Sequence, residues 1–420
     1  MIKIKFSILL LFSIITSSTF SQISTSSPYS RYGLGILNDN TLAFQSALGG
    51  SSVALYNSDF INSSNPATYS AFKAKSFLFS TGLSHLTTQM KTTDLTQITN
   101  NSSFSHITLG FPLSKSIFVS SGFLPYSNIG YVLEDSETIE GIGGIDYNYT
   151  GDGGISNFYI GTSVKLHKNL SVGVNAAYLF GGLNRDKELL FNDESIFNVN
   201  SLNRINLKGY FYQFGLLFNR DLTENHHFTF GISANNNSEI SAKRTILSRT
   251  FELNSTQPYK DTVQNSVEWG TMILPQQISA GFTFAASDKW LVVGNYSTQN
   301  WSDYRLFEET DLLENSMKIS GGLQYVPNSK SVNSYWKRVN YRMGTSYNKS
   351  YLQLRGNQLE EKTISFGLGL PVKKSRTNYD LSIEMGEKGT INDNLIKEQF
   401  IRFNLGVTFD GIWFVKRKYD

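Results

Sequence analysis

Ile401-Arg402-Phe403-Asn404-Leu405-Gly406-Val407-Thr408-Phe409 alternates without a fault between a large apolar side chain and a small, polar or charged one. Successive side chains of a strand point to opposite faces, whereas a helix repeats every 3.6 residues, so this stretch is a strand with one apolar face. The period continues around it. Tyr379, Leu381, Ile383 and Met385 alternate with Asp380, Ser382, Glu384 and Gly386. Upstream, Leu170, Val172, Val174, Ala176, Tyr178 and Phe180 alternate mainly with Ser171, Gly173, Asn175 and Ala177. Phe158, Ile160, Val164 and Leu166 repeat the pattern, as do Ile364, Phe366, Leu368 and Leu370.

Two architectures produce such strands. In a soluble sandwich the apolar face points into a shared core; in a membrane barrel it points to lipid and the lumen takes Gly, Ser, Asn and charge. Three features favour the barrel. Aromatics sit near strand termini (Tyr178, Phe180, Phe409, Trp290, Trp301), as interfacial girdles require. Opposite faces carry Arg402, Glu384, Lys165 and Lys208, which a polar lumen tolerates. Many segments also run to roughly 10–14 residues, enough for a tilted span and longer than ordinary soluble strands. The expectation is an all-β, transmembrane antiparallel barrel of about 14 strands over residues 76–420. Short turns at 167–169, 224–227 and 287–289 alternate with longer polar stretches at 133–152, 185–204 and 253–267, expected as periplasmic turns and extracellular loops.

Composition narrows the function. The 420 residues hold 37 Lys+Arg against 34 Asp+Glu, which lacks the basic excess of a nucleic-acid binder. Cysteine is absent, which removes disulfides, thiolate zinc sites and thiol catalysis. Aromatics reach 14% with 34 glycines at a mean hydropathy of −0.23, as two-faced strands produce. Residues 1–21 read as a secretory signal: Lys3 and Lys5, an apolar run over 6–15, then Thr19 and Ser21 before Gln22. That run is about half the length of a membrane-crossing helix, so an uncleaved anchor is the weaker reading.

Residues 22–75 differ: rich in Ser and Asn, not alternating, too short for a core of their own. They contain Ser27-Pro28-Tyr29-Ser30-Arg31-Tyr32-Gly33, then Ala47-Leu48-Gly49-Gly50-Ser51-Ser52, then Asn65-Pro66-Ala67-Thr68-Tyr69. Together with the barrel pattern, this resembles the N-terminal hatch of the FadL-like outer-membrane transport family. Thr150-Gly151-Asp152-Gly153-Gly154 and the ending Trp413-Phe414-Val415-Lys416-Arg417-Lys418 look like its Bacteroidota-type members. The resemblance implies a hatch inside the lumen, residence in the outer membrane of a Gram-negative bacterium, and uptake of small hydrophobic compounds that leave sideways beside a kinked strand. It implies no cofactor, and its partners are outer-membrane lipid and a hydrophobic ligand.

Gly122-Phe123-Leu124-Pro125-Tyr126-Ser127-Asn128-Ile129-Gly130, in the third strand, is the candidate kink and lateral opening, because Pro125 cannot donate a ladder hydrogen bond. A proline at a strand end is the plainer alternative. Arg31 and Tyr32 are candidates to anchor the hatch to carboxylates such as Glu384. In Asn65-Pro66-Ala67 the asparagine suits a turn cap and the proline fixes φ. No nucleophile elbow, P-loop or His-Glu-x-x-His motif occurs, so no catalytic or metal residue is assigned. His85, His106 or His167 beside a lumen serine is the one enzymatic arrangement left, and His226-His227 reads as a solvated turn. The acidic run Glu134, Asp135, Glu137, Glu140, Asp146 and Asp152 reads as a solvated loop before a calcium site. The alternative to transport is an accessory barrel subunit of an outer-membrane assembly or secretion complex.

Overall fold

The computed structural model describes residues 27–412 apart from 40, 254, 255, 257, 311, 312 and 374. The signal-like leader and the basic ending after residue 412 lie outside the described residues. Fourteen antiparallel strands close into a barrel. They begin with β1 (Ser76–Lys91), β2 (Thr96–Pro112), β3 (Ile117–Ile139), β4 (Gly143–His167), β5 (Leu170–Phe191) and β6 (Asn198–Thr223). Next, β7 and β8 each run in two segments, His226–Asn235 with Ser238–Phe251 and Tyr259–Leu274 with Gln277–Ala286. The wall is completed by β9 (Trp290–Gln299), β10 (Ser316–Tyr325), β11 (Asn340–Leu354), β12 (Asn357–Pro371), β13 (Asn378–Lys388) and β14 (Lys397–Ile412). β14 pairs with β1 from Lys397↔Lys91 to Ile412↔Ser76, so the sheet closes on itself. The rim carrying Ser76 and Ile412 is the near rim; the other is the far rim.

The quoted stretch behaves as read: Ile401, Phe403, Leu405 and Phe409 are exposed on the outer face, where lipid replaces water. Tyr210, Tyr212, Phe214, Leu216 and Phe218 do the same on β6. Farther from the near rim the chemistry of the two faces exchanges. On β5 the inward row runs Ser171, Asn175, then Leu179 and Leu183, both 0% exposed, while the outward row passes from Tyr178 and Phe180 to Asn184, Asp186 and Glu188. Beside lipid the apolar face must point out; above it, in water, the apolar face must point in.

Three expectations change for this reason. The supposed loops 133–152, 185–204 and 253–267 are mostly strand, because the β3–β4, β5–β6 and β7–β8 hairpins continue past the lipid belt around an inner apolar core. Trp301 is no girdle residue: it is 1% exposed, stacked on Tyr351 at 4.3 Å in that core. Lys208 points outward, level with Phe180, above the girdle. The acidic run from Glu134 to Asp152 lies on the β3–β4 hairpin, and among the described residues no His, Asp or Glu group could hold a metal.

The interruption of β7 and β8 has a local cause. Pro275 has no N–H, and the ladder is bridged by side chains at that level: Gln276 N donates to Asn237 Oδ1 (2.6 Å), Gln277 N to Asn235 Oδ1 (2.9 Å) and Tyr212 N to Asn236 Oδ1 (2.9 Å). The outward face of β14 yields a direct test. Leu405→Arg, in the middle of the apolar band, should cost about 2–4 kcal/mol in reversible unfolding from lipid vesicles.

Candidate functional site

The interior is organised by the segment before β1. It contributes a 3-10 turn (Pro28–Arg31), a two-residue strand (Ile36–Leu37), a single helical turn (Ala43–Ser46) and a second 3-10 turn (Pro66–Ala71). Its backbone touches the inner wall where the wall has no side chain. A Cβ on Gly344 would lie 2.1 Å from Gly49 N, on Gly322 2.7 Å from Leu48 Cα, on Gly173 2.5 Å from Pro66 C, and on Gly231 2.5 Å from Val53 O. With side chains in place of backbone, Ala47 meets Gly367 and Phe72 meets Gly110. Gly49 itself, at φ +70°, donates to Ser365 Oγ at 3.1 Å. Gly50, at φ +80°, lies beside Lys318.

Asn65 caps the second turn and also holds it to the wall. Its Oδ1 accepts from Ala67 N (3.0 Å), and its Nδ2 donates to Val53 O (2.8 Å) and Leu216 O (3.3 Å). Further bonds run from Tyr69 Oη to Asn175 Oδ1 (3.0 Å), from Gln213 Nε2 to Ser64 O (2.8 Å) and from Thr283 Oγ1 to Ala54 O (3.0 Å). Arg31 does not reach Glu384. Its guanidinium lies 4.3 Å over the Tyr149 ring, while Glu384 accepts from Asn404 (2.7 Å) and pairs with Arg402 at 3.4 Å. Tyr32 is 39% exposed and reaches no lumen carboxylate. The anchoring ion pair that sequence reasoning missed is Asp39 with Lys318. Burial alone would raise the Asp39 carboxyl, but the charge and hydrogen bond of Lys318 override it and hold the group below the ordinary carboxylate range.

Pro125 lies well inside β3 and not at its end. The register to β4 slips there, from Pro125↔Ser156 to Ser127↔Ile155, which is a bulge. Across the other edge, β3 pairs with β2 only from Phe118↔Pro112 to Phe123↔Ile107. Past Phe123 the ladder between the two strands ends, leaving a break in the pairing beside the Phe104 and Phe123 rings, which are 6.3 Å apart. The N-terminal segment covers the β3 side of it: Ile36 and Leu37 pair with Asn128 and Ser127, Asn38 N donates to Tyr126 O (2.9 Å), and Ser27 N to Gly130 O (3.2 Å). Gly122 packs under Tyr159, and Tyr126 turns inward onto Phe211.

Behind this break is a cavity of ≈ 620 Å³, and beside Ile36, Leu37 and Thr41 another of ≈ 260 Å³. The larger is lined by Ser84, Asn101, Ser103, Glu361, Glu384 and Arg402 among others, the smaller by Asn157, Asn175, Gln213 and Ser279 among others. Both linings mix the two kinds of surface, with Leu86, Phe104 and Phe400 also on the larger and Leu124, Tyr126 and Phe211 on the smaller, a more polar blend than the walls of a typical pocket for small hydrophobic molecules. Toward the far rim the lumen is filled by Leu34, Trp301, Tyr304, Tyr351 and Leu352.

The histidines gain partners without forming a catalytic set. His106 is 1% exposed between Ser80 and Ser105, each at 3.0 Å, sealed from any substrate. His85 meets Ser102 (2.8 Å) on the outer surface. His227 pairs with Asp221 (2.6 Å), and His226 meets Thr223 (2.8 Å) and stacks on Phe284, so that turn is more structured than expected.

The glycine contacts predict a minimal pair. Gly322→Ala should lower the thermal unfolding midpoint, at a cost of about 1–3 kcal/mol, because the new methyl meets Leu48. Gly321→Ala, whose Cβ meets nothing nearer than 3.6 Å, should be near neutral. Asp39 predicts an acid step. A depressed carboxyl stabilises above its unfolded value and loses that contribution as pH falls through the folded one. Protease protection of the N-terminal segment should therefore hold at neutral pH and weaken below about pH 4, and Asp39→Asn should abolish that step.

A family model described as BamG matches residues 1–420. No curated protein matches the sequence significantly. The fold is shared with solved structures. The P. putida toluene transporter TodX superposes with a TM-score of 0.58 at 14% identity, covering 90% of this chain and 99% of that one. The Ralstonia pickettii toluene transporter TbuX gives 0.57 at 12% identity, covering 93% and 99%. A Pseudomonas aeruginosa FadL homologue gives 0.57 at 10%, covering 88% and 98%. At these identities the likeness is one of architecture: the FadL-like fold expected from the sequence is present.

Proposed function

From the premise that the chain belongs to the BamG family, we propose that it is a non-transporting barrel subunit of an outer-membrane assembly complex in a Gram-negative bacterium. The observation that carries this reading is the interior. The N-terminal segment is seated on wall glycines and capped by Asn65, Pro66 and Ala67; the remaining cavities present Ser, Asn, Glu and Arg; the far mouth is packed with Trp301 and Tyr351. An apolar cargo would have to displace that packing and then cover the Ser, Asn, Glu and Arg groups of the linings without replacing their hydrogen bonds. A barrel whose lumen is largely occupied by its own N-terminal segment suits a scaffold, and the family name points to an outer-membrane complex.

One observation favours a second reading. The break in pairing past Phe123, with Gly122, Pro125, Tyr126 and Gly130 on its border, lies where a hydrophobic compound could leave sideways, and the shared fold includes toluene transporters. In that reading the N-terminal segment acts as a hatch that moves aside.

Native mass spectrometry of the protein taken from its own outer membrane in mild detergent separates the two, paired with toluene flux into proteoliposomes. A stoichiometric complex with another outer-membrane protein, and flux no greater than through protein-free vesicles, is the expected result. A monomer carrying a hydrophobic compound, with flux that falls in Pro125→Val, would replace this reading by transport.

A further inference from the structure

Above the lipid belt the wall is mostly apolar inward and polar outward, and β8 departs furthest from that pattern. In the upper segment of β8, Met272 and Leu274 point inward at 0% and 1% exposure. The alternate row faces out and includes Trp269, Val267 and Val263, exposed by 68%, 54% and 67%. These residues stand clear of the membrane. Trp269 pairs with Lys243, which pairs with Asn206, four residues beyond the girdle tyrosine Tyr210 on β6. Val263 lies about 20 Å farther along its strand at ~3.3 Å per residue. Water-facing apolar rows of this kind mark interaction surfaces.

The backbone of the same segment is also unsatisfied on one side. β8 is paired to β7 in unbroken register from Gln264↔Ser248 to Leu274↔Ser238. On its other edge it meets only Arg305 and Leu306, opposite Ile273 and Met272, with Phe307 N donating to Thr271 O (3.0 Å). Among the described residues no backbone group pairs with that edge at Asn265, Val267 or Trp269. By the alternation that aims Thr271 O outward, those three residues aim their N–H and C=O groups at the open edge. Natural edges are usually covered or blunted, and this run has no proline.

Charge identifies the occupant further. The outward faces of the upper β6, β7 and β8 carry Arg204, Lys208, Lys243 and Arg249, against Glu239 and Asp261. Lys243 lies 5.1 Å from the Trp269 ring and Arg249 3.5 Å from the Tyr259 ring. Two copies of this chain joined edge to edge would set one cationic outer face beside another and supply no matching acidic row. We propose that the β8 edge takes an extended segment of a different protein, added as a further strand, whose outward row mixes apolar and acidic residues. On that row its apolar side chains would pair across with Val267 and Trp269, its carboxylates would reach over β8 to Lys243 and Arg249 on the neighbouring β7, and its backbone would complete the ladder.

The inference rests on the assembly-subunit reading, and the experiment separates their failures. The complex isolated from the native outer membrane is compared with the barrel alone by amide hydrogen exchange. The amides of Asn265, Val267 and Trp269 should slow by about tenfold or more in the complex. Val267→Pro, which removes an edge-facing N–H and no internal ladder bond, should deplete the partner while keeping the heat-modifiable gel shift of a folded barrel. Trp269→Thr serves as a second variant that keeps every backbone donor, and should weaken the complex in a salt-sensitive manner. A stable complex whose edge amides exchange as fast as in the free barrel overturns the edge proposal and leaves the subunit reading standing. Protection that appears in lipid nanodiscs without any partner assigns the surface to lipid and overturns it. So does protection that grows with the concentration of the barrel alone, which would mean self-association. Failure to isolate any complex removes the reading and the inference together.

Discussion

A backbone can lie against a β-sheet only where the sheet offers no Cβ, and the interior of this protein depends on that constraint. The N-terminal segment runs across the inner wall in contact with Gly110, Gly173, Gly231, Gly322, Gly344 and Gly367, residues drawn from six strands. Each contact leaves too little room for even a methyl group. Side-chain amides then complete the fit: Asn65, Gln213 and Asn175 bond to backbone or to one another across the narrow space. A buried polar interior is tolerable only when satisfied in this way.

The second organising fact is the change of solvent along each strand. Beside lipid, the 26-residue β6 turns Phe214, Leu216 and Phe218 outward; beyond the girdle it turns Ile205 and Leu207 inward. Long strands thus carry two cores in series, one made with lipid and one made with protein. That is why the far mouth is packed with Trp301, Tyr304 and Tyr351 where a conduit would be open.

The period of two was enough to read the barrel, its strand number and the position of Pro125 in the third strand, because period is a local property of the chain. It also placed Arg402 and Glu384 in the lumen. What it could not assign is the side of a residue type once the solvent changes. Lys208 looked lumenal because charge inside is the rule beside lipid, and Trp301 looked interfacial because aromatics at strand ends usually are. The hairpin extensions read as loops for the same reason: Glu, Asp and Asn facing water look alike in a loop and on an outward strand face. Arg31 was matched to a carboxylate by charge, but a tyrosine ring was nearer. The role of Asp39 had no sequence signal at all, since its partner Lys318 lies 279 residues away.

That separation has a consequence for how the chain reaches its native state. Ser27 bonds to Glu398, 371 residues later, and Ala43 lies against Gly406 in the last strand. The segment that begins at Ser27 therefore finds its seat only when the final strands are in place. Contacts of such sequence distance are paid for in loop-closure entropy before they return any stability, so they form late and slowly. Burial of the amino-terminal region thus reports completion of the whole molecule, and a barrel stalled short of its last strand would display that region to solvent.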